Sequence, residues 1–323
     1  MKKLLSVLCL LLLLCSCGNK PVQEEEYDVE AGLASMKIVT PKGAPVLAFY
    51  DQIENENYTR VTADAIPALW STGEQSPDVI VVDISSGLKA IENNAPYLLG
   101  AVITFGNFYL AATGNDDNAV MDKGDSVVLF GNENALPGKI FHYIYGTDYD
   151  EELIYVADAQ MAAAALASGK DLEGNEVDYV FVAEPALTGA LKKNEKASVY
   201  GDIQKEYKDL SGLDMIQAAV FIKGDVAKEC MYAFLERLEG SINAAINDPS
   251  LIAQGLSVFE GDEATAQYGF NPDLVVNVFN KKNALGNNAM GLGYKKAIDI
   301  KKDIDAFVKV LGLTETSEEI YIK

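Results

Sequence analysis

The sequence predicts an α/β protein of two doubly wound lobes, joined by a hinge that the chain crosses twice, with a ligand cleft between the lobes. Three observations predict this fold class. Strand and helix patterns alternate in two successive series, which is typical of doubly wound sheets. The last third of the 323 residues is mostly helical. It has no matching strand series, so we expect it to pack back on the first lobe.

The first series begins after residue 35. Residues 78–83 form a continuous β-branched run, which suits a parallel strand buried on both faces. A strand at 36–40 ends at the turn 41–45. The other elements predicted here are helices at 46–53, 63–71 and 88–92 and strands at 101–104 and 108–113.

The second series begins near residue 126. Its predicted strands are 127–130, 152–156, 177–182 and 215–222, and its helices are 159–167, one opening at Leu136 and one ending at Leu191. Asp225 is a candidate cap for a helix running to about residue 246, and 297–311 is the closing helix. These patterns predict lobe 1 at 36–115 and 221–323, lobe 2 at 116–220, and hinge crossings near 113–125 and 216–224.

The N-terminus predicts export. Lys2 and Lys3 precede the apolar run 4–14, which is too short to span a membrane as a mature helix. Ser16 before Cys17 resembles a bacterial lipobox. That resemblance implies a signal peptide at 1–16 and lipidation of Cys17, and the alternative is an ordinary secretory signal. The acidic residues 17–35 are predicted to form a solvated tether. Only Cys230 then remains in the folded part, as a buried thiol.

The charge of the chain excludes some partners. The formal net charge is −22, and the only arginines are Arg60 and Arg237. Such a surface repels nucleic acid and offers no polybasic membrane patch. We therefore expect contact with the membrane through the lipid anchor only, on the outer face of the cytoplasmic membrane. We also expect a monomer without a cofactor.

Candidate ligand-binding residues follow successive predicted strands, where open α/β sheets bind their ligands. Helix-start amides favour a carboxylate or sulfonate, Asn side chains suit a neutral polar ligand, and carboxylates accept N–H groups of an amine or aminopyrimidine. Helix capping and core packing are the alternative roles. The candidates are Lys42, Gly43, Ala44, Ser85, Ser86, Phe105, Asn107, Asn132, Asn134, Asp158, Gln160 and Glu184.

Four of these loops carry a family resemblance. In order, they are the turn 41–45, the turn 83–87, the helix opening 136–139 and the segment 183–186. Together they resemble the substrate-binding proteins of nitrate, sulfonate, taurine and thiamine-pyrimidine importers, a type II periplasmic-binding-protein fold, over residues 36–311. The resemblance implies a two-lobed protein that delivers a small-molecule ligand to the permease and ATPase of an ABC transporter.

The chain departs from the anion-binding members of that family. Its candidate loops supply one lysine and no arginine, and they lie beside Phe105, Phe108, Tyr109 and Phe130. Aromatic side chains next to Asn and Glu fit a heterocyclic or aromatic compound better than a bare anion. A sulfonate, taurine or nitrate binder of the same fold is the alternative.

An enzyme is the second alternative, acting on a small molecule through carboxylate acid and base groups. His142 is the only histidine, and the sequence contains neither a CxxC pair nor an HExxH motif. We therefore predict no catalytic residue and no metal site. An adhesion or scaffold protein would show repeats, which are absent from the sequence.

Overall fold

The computed structural model describes residues 27–70, 73, 76–115 and 120–323. The strands are β1 (Ile38–Pro41), β2 (Tyr58–Val61), β3 (Val79–Asp83), β4 (Tyr97–Thr104), β5 (Phe108–Ala112), β6 (Val127–Phe130), β7 (Leu153–Val156), β8 (Tyr179–Ala183), β9 (Ser198–Asp202), β10 (Ala218–Lys223) and β11 (Leu292–Lys296).

The helices are α1 (Val29–Ser35), α2 (Ile84–Glu92), α3 (Leu136–Tyr145), α4 (Ala159–Ser168), α5 (Ala186–Leu191), α6 (Ile203–Ser211), α7 (Lys228–Asn247), α8 (Ser250–Leu256), α9 (Gly261–Tyr268), α10 (Val275–Phe279) and α11 (Lys301–Val310). Short 3-10 segments are Ala44–Gln52, Ala63–Leu69, Pro272–Leu274, Ala297–Ile300 and Glu318–Ile320. The first two replace α-helices predicted at 46–53 and 63–71, and Pro67 lies inside the second.

The strands form two mixed sheets. Lobe 1 has the order β11-β4-β10-β3-β1-β2, and lobe 2 has the order β7-β6-β8-β5-β9. In lobe 1, β1 pairs in parallel with β2 and β3, while β10 is antiparallel to β3 and β4. In lobe 2, β6 pairs in parallel with β7 and β8, and β5 is antiparallel to β8 and β9. Two sheets with interleaved helices confirm the predicted two-lobe α/β class.

Strand β3 shows why its sequence fits the middle of a sheet. Val79 and Val81 pack in one apolar core, and Ile80 and Val82 pack in another on the opposite face. Successive side chains of a strand point to opposite faces, so a β-branched residue at each position buries both faces. Strand β3 is buried on both faces, as predicted, but it is parallel only to β1 and antiparallel to β10.

Helices of the last third of the chain contribute side chains to the lobe 1 core. The face of α7 formed by Met231, Leu235, Leu238 and Ile242 lies in the same core as β1. Asp225 does not cap this helix: α7 begins three residues later, after Ala227, without a side-chain cap. The Asp225 carboxylate instead lies 3.2 Å from the Lys223 ammonium.

The hinge crossings lie earlier than the sequence predicted. The chain leaves lobe 1 at the end of β4 and enters lobe 2 at β5, so the first crossing is Phe105–Asn107 rather than 113–125. The return lies between α6 and β10, so the strand predicted at 215–222 in the second series belongs to the lobe 1 sheet. A three-residue connection between two apolar strands leaves no hinge pattern in the sequence.

The segment predicted as a tether is partly helical. Residues 17–26, including Cys17, and the signal peptide 1–16 lie outside the described residues. Asp28 accepts a hydrogen bond from the Ala31 N–H and caps α1. Leu33 of α1 packs against the lobe 1 core, so residues 29–35 do not belong to a solvated tether. Cys230 is buried, as predicted, and its sulfur lies 3.6 Å from the Tyr27 hydroxyl.

Among the helices that the structure describes, none is long and apolar enough to cross a membrane.

Candidate ligand-binding cleft

A cavity of about 680 Å³ lies between the two lobes. Loops at the carboxyl ends of strands from both sheets line it, which is where open α/β sheets bind ligands. Its size lies within the range of about 300–1,000 Å³ that is usual for small-molecule sites. Eight of the predicted site residues line this cavity: Lys42, Gly43, Ala44, Ser86, Asn107, Asn132, Asp158 and Glu184.

Four predicted site residues do not line the cavity. Ser85 is buried and its hydroxyl donates to Asp83 Oδ1 at 2.5 Å. Phe105 lies beside a smaller cavity, with Lys295 Nζ 5.2 Å from its ring centre. Asn134 is exposed and bonds to its neighbours Asn132 and Glu133, and Gln160 is exposed on α4. Strand-end loops expose side chains on more than one side, which the sequence cannot resolve.

The turn after β1 holds its conformation through two backbone hydrogen bonds. The Lys42 N–H donates to the Val61 carbonyl at 2.8 Å, and the Gly43 N–H donates to the Tyr268 carbonyl at 2.7 Å. Gly43 has φ = 110°, a conformation that favours glycine. Two of the backbone N–H groups that were candidate donors to an anion are therefore already engaged. The N–H of Ala44 and the ammonium of Lys42 are the donors of this turn that remain for an anion.

Carboxylates occupy the starts of two further helices at the cleft. Asp83 Oδ1 accepts from the Ser86 N–H at 3.0 Å at the start of α2. Asp158 Oδ1 accepts from the Met161 N–H at 2.9 Å at the start of α4. Each is an N-cap, which stabilises a helix by about 0.5–2 kcal/mol relative to alanine. The capping role that the sequence left open for Asp158 is therefore present in the structure.

Glu184 is the most buried carboxylate that lines the cavity. Its side chain accepts two hydrogen bonds from Thr188, at 3.0 Å from the N–H and 2.7 Å from the hydroxyl. Burial raises the pKa of Glu184, while the bonds from Thr188 and the charge of Lys281 partly oppose that rise. A carboxylate has about four acceptor positions, so two remain for a ligand.

The floor of the cleft is a polar network at the hinge. Asn107 Nδ2 donates to the Glu184 carbonyl at 2.9 Å, and Gln217 Nε2 donates to Asn107 Oδ1 at 3.0 Å. Gln217 Oε1 accepts from the Gly106 N–H at 2.7 Å. Each of these amide nitrogens carries a second hydrogen. The network therefore joins both crossings to lobe 2 and keeps donors available at the floor.

Aromatic side chains line both sides of the cavity. Trp70 comes from lobe 1 and packs edge-on against Tyr97 and Phe221, with ring centres 5.0 and 5.6 Å away. Phe108 and Phe130 come from lobe 2 and contact each other edge-on at 5.6 Å. Tyr109, the other aromatic noted in the sequence, packs in the opposite core of lobe 2.

Several lining residues were missed by the sequence analysis. They are Asp64, Ile66 and Trp70 near the second 3-10 segment, Asp83, Lys89, Asn93 and Asn94 on α2 or directly beside its ends, and Gln217, Gly269 and Phe270 from later elements. Trp70 carried one available signal, as the single tryptophan of the chain. Gln217 and Phe270 carried none, because only the tertiary fold brings them to the cleft.

Metal-binding clusters of His, Cys, Asp and Glu are absent from the part of the chain that the structure describes. His142 lies on α3 with its Nε2 2.9 Å from Asp150 Oδ1, and it does not line the cavity.

No protein-family model and no curated protein matches this sequence. Solved structures do match. An ABC transporter protein from Parabacteroides distasonis is 20% identical over 85% of this chain and 91% of its own, with a TM-score of 0.63. The zinc-bound ligand-binding component of an ABC-type import system from Staphylococcus aureus is 13% identical over 89% and 96%, with a TM-score of 0.59.

A third similar structure is the periplasmic aliphatic sulphonate binding protein SsuA from Escherichia coli. It is 11% identical over 89% of this chain and 91% of its own, with a TM-score of 0.57. At these identities the likeness shows the fold alone. The chain therefore has the two-lobe fold of ABC-transporter substrate-binding proteins, which confirms at the level of the fold the resemblance drawn from the loops.

Proposed function

We propose that this protein is the solute-binding component of an ABC importer and holds a small organic ligand between its lobes. One observation carries the proposal: a cavity of about 680 Å³ is lined by strand-end loops of both sheets. Only a ligand in that position contacts both lobes at once, so its binding would favour the closed arrangement. A permease and an ATPase are the partners that this function requires.

The favoured ligand is a heterocyclic or aromatic compound. Trp70, Phe130 and Phe270 provide apolar ring faces or edges, which suit a planar ring. Asn107, Gln217 and Glu184 provide donors and acceptors at fixed, buried positions. This combination of apolar walls and a few directional polar groups is typical of small-molecule sites.

The sulfonate-type alternative has less support in the cleft. The Escherichia coli protein named above binds sulphonates, but here carboxylates occupy the starts of α2 and α4. The turn at Lys42 and Ala44 is the remaining place for an anion. No observation favours the enzyme alternative, because Asp83 and Asp158 are engaged as helix caps.

Export and anchoring are part of the same proposal. Cys17 follows an apolar N-terminal run and Ser16, and we propose that its thiol carries the lipid anchor on the outer face of the cytoplasmic membrane. Cys17→Ala should abolish incorporation of a labelled fatty acid in growing cells. Persistence of the label in the variant would contradict the anchor assignment.

A thermal-shift panel tests the ligand class. Heterocycles, aromatic acids, alkanesulfonates and nitrate are added to the protein, and the melting temperature is measured. A ligand at a hundredfold excess over its Kd stabilises the native state by about 2.7 kcal/mol. A ring compound should raise the melting temperature, and Glu184→Ala should reduce that rise. Stabilisation by an alkanesulfonate or taurine with no effect of any ring compound would contradict the proposal.

A further inference from the structure

Helix starts at the cleft offer few free donors to an anion. A helix N-terminus is the usual place for an anion, because its N–H groups lack partners. Carboxylates of the chain accept from these groups at α2, α4 and α5, at 3.0, 2.9 and 3.0 Å. The 3-10 segment at Ala44 and helix α3 each have a proline in the first turn, at Pro45 and Pro137, which removes one donor.

The charged residues that line the cavity also disfavour an anion, because acidic residues outnumber basic ones. Asp64, Asp83, Asp158 and Glu184 carry formal negative charges, whereas Lys42 and Lys89 carry positive ones. Neither arginine nor histidine is among the lining residues. The chain as a whole has a net charge of −22, so the field around the cleft adds to this imbalance.

Glu184 lacks a direct cationic partner among the described residues. Its side chain is buried, yet no lysine, arginine or histidine nitrogen in that part of the chain lies within 4 Å of its carboxylate. Lys281 reaches only the hydroxyl of Thr188, at 3.2 Å. A buried charge is unfavourable unless it is paired, and a cation bound in the cleft would supply the pair.

We propose that the cleft selects a ligand with a positively charged nitrogen group, such as a protonated amine or an amidinium, attached to its ring. The charged group donates to the free acceptor positions of Glu184, and Asp158 lies on the same cavity wall of lobe 2. This inference rests on the proposed function and specifies the charge of its ligand. Carboxylate acceptors make such charge-assisted bonds stronger than neutral ones.

Three planar compounds of nearly equal shape test it: benzamidinium, benzamide and benzoate, with charges of +1, 0 and −1. Isothermal titration at pH 7 should rank their affinities in that order. Glu184→Gln should reduce benzamidinium affinity by about tenfold or more, as removal of a charge-assisted bond predicts, and should leave benzamide affinity almost unchanged. Asp158→Asn should weaken the same preference if Glu184→Gln does not fold.

Two outcomes would overturn the inference. One is equal or stronger binding of benzoate, which contradicts the charge preference but leaves a ring-binding cleft in place. The second is sought if none of the three compounds binds. The protein is then incubated with cell extract and dialysed, and the compound that it retains is released and identified. A released compound without a positive charge at pH 7 contradicts the inference, whereas failure to retain any compound contradicts the proposed function itself.

Discussion

At the scale of single residues, acidic side chains serve two roles that the sequence cannot separate. Asp83 and Asp158 cap helices, and Glu184 combines a bond to a helix start with free acceptor positions in the cavity. The sequence indicated Asp158 and Glu184 because each follows a predicted strand. It could not indicate Gln217 or Phe270, since only the tertiary fold brings them to the cleft.

A half-buried carboxylate, Glu206, provides a residue-scale prediction. The Tyr145 hydroxyl donates to Glu206 Oε2 in lobe 2. Burial raises the pKa of Glu206, and the bond from Tyr145 partly opposes the rise. Tyr145→Phe should therefore lower the free energy of unfolding by about 1–3 kcal/mol at pH 7, because the half-buried carboxyl group of Glu206 loses its hydrogen-bond donor.

The pH dependence of this loss has a definite sign. A carboxyl group whose pKa is raised by folding holds its proton more tightly in the native state. The free energy of unfolding therefore falls as pH rises from the usual range of glutamate through the raised value. Tyr145→Phe should steepen this fall, as urea unfolding between pH 4 and 8 would show. Tyr143→Phe on the same helix is the control, and a loss that is equal at every pH would contradict the assignment.

At the scale of elements, apolar patterns found the central strands and one edge strand, β7, and missed the other three edge strands. Strands β3, β4, β6 and β8 were predicted, although some of their bounds differ by a few residues. Strands β2, β9 and β11 were missed, and each lies at the edge of its sheet. An edge strand has one unpaired side and a half-exposed mixture of residues, so its sequence carries neither a continuous apolar run nor a clean alternation.

Helix α1 gives an element-scale prediction, because it packs closely on α7. A Cβ atom on Gly32 would collide with the Cys230 sulfur and the Tyr27 hydroxyl. Gly32→Ala should therefore displace α1 and expose Cys230. We expect its labelling rate with a maleimide, followed by peptide mass spectrometry, to rise about tenfold or more, which corresponds to about 1.4 kcal/mol of lost docking.

Gly240 offers a matched control on α7 itself. It is exposed, and a Cβ atom there would meet no other atom within 4 Å. Gly240→Ala should stabilise the helix by about 0.5–1 kcal/mol and leave the labelling of Cys230 unchanged. Equal labelling rates in Gly32→Ala and the unmodified protein would show that α1 does not protect the thiol.

At the scale of the whole molecule, the two lobes also contact each other outside the hinge. Lys281 of lobe 1 donates to the Thr188 hydroxyl of lobe 2 at 3.2 Å, and the Ala284 N–H donates to Asp202 Oδ2 at 2.8 Å. The rings of Tyr207 on α6 and Phe307 on α11 pack with centres 5.5 Å apart. The alternation of strands and helices predicted two lobes, but these contacts depend on side chains far apart in the chain.

The central claim is that a small organic compound occupies the cleft between the lobes, and retention of a compound tests it most directly. The protein is incubated with cell extract so that its cleft is filled, and it is then dialysed and denatured. The released compounds are identified by mass spectrometry. Ser86→Trp places an indole at the cavity lining, and Gln160→Trp, at an exposed position of α4, is the control. We predict that the unmodified protein and the Gln160→Trp control each release one ring compound, at about one molecule per protein. We predict that Ser86→Trp releases none. Equal retention by all three proteins, with Ser86→Trp folded, would contradict a ligand in this cleft.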